Sequence, residues 1–156
     1  TTGSEVNLLH YNALLNAHAK SNTWTRALQL LGDMLQGNMA IDAITCNAAI
    51  CACQKGGFWV KGLELLRAMM QRRVDANTIT YNVLISACEK CGDWMKALEL
   101  LRVIVQTEMD VDTITYNAAI SACEKGNQRT KALGLLRTMI QGRLGITTIT
   151  YNAAIS

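Results

Sequence analysis

The sequence predicts an all-α protein, an α-solenoid of 35-residue helix-turn-helix repeats. Three observations carry that prediction. One phrase recurs: TITYNVLISACEK at 78–90 returns as TITYNAAISACEK at 113–125, with AITCNAAICACQK at 43–55 and TITYNAAIS at 148–156. The recurrence keeps one period. Trp24, Trp59 and Trp94 stand 35 residues apart, as do Asn12, Asn47, Asn82, Asn117 and Asn152, and no gap interrupts the step. Within each period the apolar residues follow helical spacing. A helical pair this short cannot bury its apolar face alone, whereas stacked copies cover one another.

The elements follow in order. Residues 1–7 read as an N-terminal extension. Four copies occupy 8–42, 43–77, 78–112 and 113–147, and 148–156 begins a fifth. That last helix lacks its partner and the chain starts at Thr1 rather than Met, so a trimmed chain or a fragment of a longer array is expected. The third copy shows the pattern. Tyr81, Leu84, Ile85 and Cys88 fall at i, i+3, i+4 and i+7, an amphipathic stripe. Ile79, Asn82, Ser86 and Lys90 gather on nearly the opposite face. Cys91-Gly92-Asp93 breaks the helix, with Gly92 suited to a left-handed C-terminus and Asp93 to the next N-cap. Trp94, Ala97, Leu98, Leu101 and Val105 form the second stripe, with Lys96, Glu99, Arg102 and Gln106 solvated. TEMDVD at 107–112 is the polar connection. Ala27, Gly62, Ala97 and Ala132 share a register and mark a close helix crossing. Trp24, Trp59 and Trp94 pack at the start of each second helix, and Met34, Met69 and Met139 fill the core.

Composition agrees and narrows the function. Proline is absent, one Phe is present, and the apolar content rests on Leu, Ala, Ile and Met, which suit helices. The net charge of +3 is compatible with nucleic acid without requiring it. No apolar run approaches the ~20 residues that cross a bilayer, so no membrane insertion is expected. No signal peptide is visible. Cys53, Cys88 and Cys123 share one register on the core side and read as packing thiols. Cys88-x-x-Cys91 is a lone pair, too little for zinc. Cys46 replaces a Tyr of other copies and Cys51 a Ser, and all six cysteines suit a reducing compartment. His10 and His18 recur nowhere and read as surface residues. No catalytic constellation recurs, so neither enzyme activity, cofactor nor metal is expected.

The run ITYNAAISACEKG at 114–126, followed by KALGLLRTM at 131–139, resembles the pentatricopeptide repeat family, and the likeness extends from Leu8 to Ser156. The tetratricopeptide repeat differs in its 34-residue period, its Trp-Leu-Gly-Tyr pattern and its closing Pro. The resemblance implies a right-handed superhelix that binds single-stranded RNA at about one base per repeat. It places the principal base-reading residue at Asn12, Asn47, Asn82, Asn117 and Asn152. The second reading position falls at Asp42, Asn77, Asp112 and Thr147. Bases would be sandwiched by Leu9, Ile44, Ile79, Ile114 and Ile149, and phosphates met by Lys20, Lys55, Lys90 and Lys125. By family analogy the four copies would read U, pyrimidine, U and a fourth pyrimidine. The chain departs from the family where Pro usually precedes the second position, here Ile41, Ala76, Val111 and Ile146. It departs again at Arg129, which stands in the Trp register.

These residue types suit such a task. A carboxamide offers a donor end and an acceptor end to a base edge. Branched apolar groups exclude water beside a base face, and one lysine per copy matches one phosphate per nucleotide. Plainer roles exist as well: Asn favours helix starts, and Lys near a helix C-terminus is favoured by the macrodipole. The resemblance also implies a mitochondrial or plastid location and a part in transcript stability, processing or translation. No E, DYW or small MutS-related extension is present, so neither editing nor nuclease activity is expected of this segment. The alternative is a structural one: a scaffold or protein-interaction subunit of an organellar multiprotein assembly.

Overall fold

The computed structural model describes residues 2–21, 23–36 and 41–155, and the side chains of these except at 2–7, 19, 35, 149 and 154. Every regular element among the described residues is helical. In order they are α1 (Thr2–Lys20), α2 (Trp24–Gln36), α3 (Ala43–Gly56), α4 (Trp59–Gln71), α5 (Thr78–Cys91), α6 (Trp94–Gln106), α7 (Thr113–Lys125), α8 (Arg129–Gln141) and α9 (Thr148–Ile155). Helix α1 begins at Thr2, so most of residues 1–7 continue the first helix rather than standing apart from it. The chain forms two compact units, Thr1–Val83 and Leu84–Ser156, divided within α5.

In the first unit α1 contacts α2 and α3, α2 contacts α3, and α3 contacts α4. Its core joins Leu15, Ala27, Leu31, Met34, Ala48, Ala49 and Ala52, with Tyr11, Trp24 and Leu65 packed against them. In the second unit α7 contacts α6, α8 and α9, and α8 contacts α9. Leu84, Ile85, Cys88, Ala97, Leu101, Ile104, Ile120, Cys123, Ala132 and Met139 are buried there. First helix touches next first helix, and second helix touches next first helix. That nearest-neighbour pattern is how helical repeats bury what one hairpin cannot.

The helix ends share one geometry. Phe58 N, Asp93 N and Gln128 N reach back to Cys53 O, Cys88 O and Cys123 O at 2.9, 3.0 and 2.8 Å. Val74, Met109 and Leu144 do the same to Met69, Ile104 and Met139. Each is the six-to-one bond of a Schellman ending, in which the preceding residue turns left-handed. Gly57 and Gly92 take that turn at φ 76° and 72°, whereas Asn127, Arg73, Glu108 and Arg143 take it without glycine at φ 53–56°. Asp93 then caps α6 by accepting from Lys96 N.

The small-residue register is buried: Ala27, Gly62, Ala97 and Ala132 all lie inside. Met34, Met69 and Met139 are fully enclosed, as are Cys53, Cys88 and Cys123 to within 1%. The expected stripe on α6 needs one correction. Val105 is 52% exposed, and Leu100 and Ile104 are buried instead. At about 100° per residue, Ile104 lies within ~20° of Ala97 whereas Val105 lies ~80° away, at the margin of the buried arc. Met70 and Ile140 share the Val105 register and are exposed too.

Candidate nucleic-acid interface

The second reading positions are helix N-caps. Asp42 Oδ1 accepts from Thr45 N at 2.8 Å and so starts α3. Asn77 Oδ1 accepts from Thr80 N at 3.1 Å, Asp112 Oδ1 from Thr115 N at 2.8 Å, and Thr147 Oγ1 from Thr150 N at 3.2 Å. In two copies the threonine answers: Asn77 N donates to Thr80 Oγ1 at 3.2 Å, and Thr147 N to Thr150 Oγ1 at 3.3 Å. The reciprocal pair is a capping box with Thr in place of the usual Glu. Asp42 feels opposed effects. Burial raises its pKa, but hydrogen bonds from the Thr45 backbone and hydroxyl and from the Asn12 amide together outweigh that and hold the carboxyl below its ordinary value.

Each of these threonines also reaches into the preceding copy. Thr45 Oγ1 donates to Asn12 Oδ1 at 2.6 Å, Thr80 Oγ1 to Asn47 Oδ1 at 2.6 Å, and Thr150 Oγ1 to Asn117 Oδ1 at 2.6 Å. Thr45 Oγ1 also lies 2.7 Å from Asp42 Oδ1, so its one proton is shared between two acceptors. Thr45, Thr80, Thr115 and Thr150 are buried to within 1%. The amide nitrogens are held far less tightly. Asn12 Nδ2 lies 3.4 and 3.5 Å from the Asp42 oxygens, and Asn47 Nδ2 lies 3.5 Å from Asn77 Oδ1, at the outer limit of hydrogen bonding. Asn12 is 8% exposed, Asn47, Asn82 and Asn117 are partly exposed, and Asn152 is exposed. The carboxamides of Asn12, Asn47 and Asn117 therefore turn their oxygens inward, at the rim of the core.

The apolar slot is open. Leu9, Ile44, Ile79 and Ile114 are 73, 60, 60 and 69% exposed, each on a first helix three residues before its Asn. Three residues along a helix place two side chains on one face. Ile149 belongs to the same register, but its side chain lies outside the described residues. Large aliphatic groups left mostly in water at one register of copy after copy contribute little to the fold.

The lysines differ among themselves. Lys20, Lys55, Lys90 and Lys125 are all exposed in the last turn of a first helix. Lys125 Nζ donates to Glu89 Oε1 at 2.6 Å, and Ser121 Oγ donates to the same oxygen at 3.1 Å. Arg129, in the Trp register, donates from Nη2 to Ile155 O at 2.9 Å.

The remaining candidates are structural. His18 Nδ1 pairs with Thr23 Oγ1 at 2.8 Å at the surface, and His10 is exposed. Burial pushes the thiols of Cys46 and Cys53 up to about 11 and that of Cys88 to about 12, which keeps them protonated near neutrality. Among the described residues no group of three or more His, Cys, Asp or Glu could hold a metal ion. No described helix is long and apolar enough to cross a membrane.

Sequence reasoning did not single out the threonines. Their signal was nevertheless present, as the T of every ITYN or ITCN, three residues after each second reading position.

Comparisons with known proteins match this geometry to one family. Profiles described as PPR repeat family, pentatricopeptide repeat domain and PPR repeat match residues 76–125, 29–91, and 9–39 with 114–144. Among solved structures, the pentatricopeptide repeat protein PPR10 from maize superposes with a TM-score of 0.81 at 20% identity over 94% of this chain. It has also been solved in complex with an 18-nt psaJ RNA element. Nuclear proteinaceous RNase P 2 from A. thaliana superposes at 0.84 with 13% identity over 95% of this chain. The PPR domain of Arabidopsis thaliana protein-only RNase P 1, in complex with tRNA, gives 0.81 at 14% identity, covering 93% of this chain and 77% of that one. This chain spans 21% of the maize protein and 34% of RNase P 2. A search of curated proteins found no match.

Proposed function

Since the chain belongs to the pentatricopeptide repeat family, we propose that it is a non-enzymatic binder of single-stranded RNA that reads about one base per copy and prefers pyrimidines. The observation that carries this reading is the exposed aliphatic residue one helical turn before the recurring Asn. Leu9, Ile44, Ile79 and Ile114 do no work in the core at 60–73% exposure, and each can cover the face of a base. Asn12, Asn47, Asn82, Asn117 and Asn152 meet base edges. Asp42, Asn77, Asp112 and Thr147 tune them from the next helix start, and Ile149 completes the apolar register. Lys20, Lys55 and Lys90 meet phosphates, joined by Lys125 when Glu89 releases it. The first and third copies read U, and the second and fourth read a pyrimidine. The solved relatives in complex with RNA support this choice of ligand.

Stacking is worth ~1–3 kcal/mol per base before ordering costs, so four copies bind weakly alone. Such a segment works as part of a longer array in a mitochondrion or plastid, on transcript stability, processing or translation. The test is to truncate Ile44 and Ile79 to Ala. Both side chains are exposed, so thermal stability should stay within ~0.5 kcal/mol, while oligo(U) affinity falls at least 5-fold per site, a ~1 kcal/mol loss at the low end of stacking. If RNA affinity is unchanged, or absent at low salt in the parent protein, these helices serve as a scaffold for protein partners.

A further inference from the structure

We infer that Thr45, Thr80 and Thr150 are specificity-determining positioning residues: each buried hydroxyl anchors the carboxamide oxygen of the Asn in the preceding copy, so the amide offers N–H donors and not its oxygen to the base it meets. The inference rests on the RNA-reading role proposed above and adds the group that sets the chemical sense of each reading.

Three observations carry it. The anchoring bond is short and hidden: 2.6 Å at all three junctions, from hydroxyls no more than 1% exposed, so water does not compete for it. The direction of donation follows from the neighbours. Thr80 Oγ1 and Thr150 Oγ1 accept backbone N–H groups from Asn77 and Thr147, which leaves the hydroxyl proton to be donated, and the preceding copy's amide oxygen at 2.6 Å is nearer than the cap oxygens of Asn77 at 3.1 Å and Thr147 at 2.8 Å. The reversed amide is disfavoured electrostatically where the cap is Asp or Asn. It would bring the Asn12 oxygen to 3.4–3.5 Å from both Asp42 carboxylate oxygens, and the Asn47 oxygen to 3.5 Å from Asn77 Oδ1. With its oxygen turned inward and its NH2 outward, the amide rewards a base that turns an acceptor toward it. A uracil carbonyl meets that requirement in full, whereas adenine can offer a ring nitrogen but leaves its amino group without the amide oxygen that a two-point Asn–adenine pairing needs.

The same geometry ranks the junctions. Asp42 opposes a turned amide by charge, so Asn12 keeps most of its orientation without Thr45. Asn77 presents a neutral oxygen in place of a carboxylate, so Asn47 depends more on Thr80. Thr147 imposes no preference, and Asn117 depends on Thr150 alone.

The test replaces Thr80 by Val, which keeps shape and removes the hydroxyl, and by Ser, which keeps the hydroxyl. The readout is the ratio of affinities for two oligoribonucleotides that differ only by U or A at one nucleotide, measured on the whole chain at low salt. A single hydrogen bond sets the scale, so Thr80→Val should lower the U-over-A ratio about 3- to 10-fold. Thr80→Ser should retain it, and Thr45→Val should lower it less. A ratio that stays constant while affinity for both RNAs drops equally marks a purely structural threonine and overturns the inference. Should Thr80→Val not fold, Thr150→Val at the Asn117 junction carries the same test. A parent protein that binds neither RNA overturns the RNA reading itself, an outcome separate from a discriminating parent whose ratio ignores the hydroxyl.

Discussion

Glu89 shows how a single residue can act across copies. It binds Lys125 at 2.6 Å and takes a hydrogen bond from Ser121. Its partners lie 36 and 32 residues away, one copy along, so no local pattern announces them. The pair is half exposed and worth ~0.2–1 kcal/mol, weak enough for a phosphate to displace. Glu89→Gln should therefore free the ammonium, raise oligo(U) affinity about 2- to 5-fold at low salt, and steepen the salt dependence by ~0.7. Glu124→Gln makes the same change of charge at an exposed neighbour and should do much less. Equal effects of the two would remove Lys125 from the phosphate contacts. The threonines were illegible for a related reason. Thr45 looks like helix filler until stacking brings Asn12 to it across 33 residues, whereas the recurring asparagines and the isoleucines three residues before them could be aligned from the period alone.

At the scale of the element, the hairpin is legible because its punctuation is local. Gly92 and Asp93 announced one helix end and the next start, and both behave so, Gly92 at φ 72° and Asp93 capping Lys96 N. The second helix was less legible at its far end, where a stripe read over three turns drifted onto Val105. What sequence could not show is how tightly each hairpin meets the next. Trp94, at the start of α6, covers Gly126, and a Cβ added there would overlap the indole ring. Lys131 Nζ lies 4.5 Å above that ring and helps hold it in place. Gly134, inside α8, has nothing within 4 Å of such a Cβ. Two glycine-to-alanine changes should thus act in opposite directions. Gly126→Ala should destabilise the second unit by ~1–3 kcal/mol through overpacking. Gly134→Ala should stabilise it by ~0.5–1 kcal/mol through helix propensity. Thermal or urea unfolding of both variants separates the two, and a neutral Gly126→Ala would mean that the Trp94 contact is loose.

At the scale of the molecule, the period decided the fold before any single residue did. An ungapped 35-residue step permits few architectures, and the family profiles and the superpositions at TM-scores of 0.81 and 0.84 agree with the helical-repeat solenoid. Function is less legible, because an amide at the rim of the core, an exposed aliphatic group and a lysine on each copy describe a surface and not its occupant. The most direct measurement is the salt dependence of single-stranded oligo(U) binding to the whole chain, compared with a protein carrying Lys20→Ala, Lys55→Ala and Lys90→Ala. Counterion release from a single strand gives a slope of about −0.7 per phosphate contact, so the triple variant should flatten log K against log[salt] by about 2 and keep its preference for U over A. An unchanged slope, or no binding at low salt, would contradict an RNA ligand on these helices.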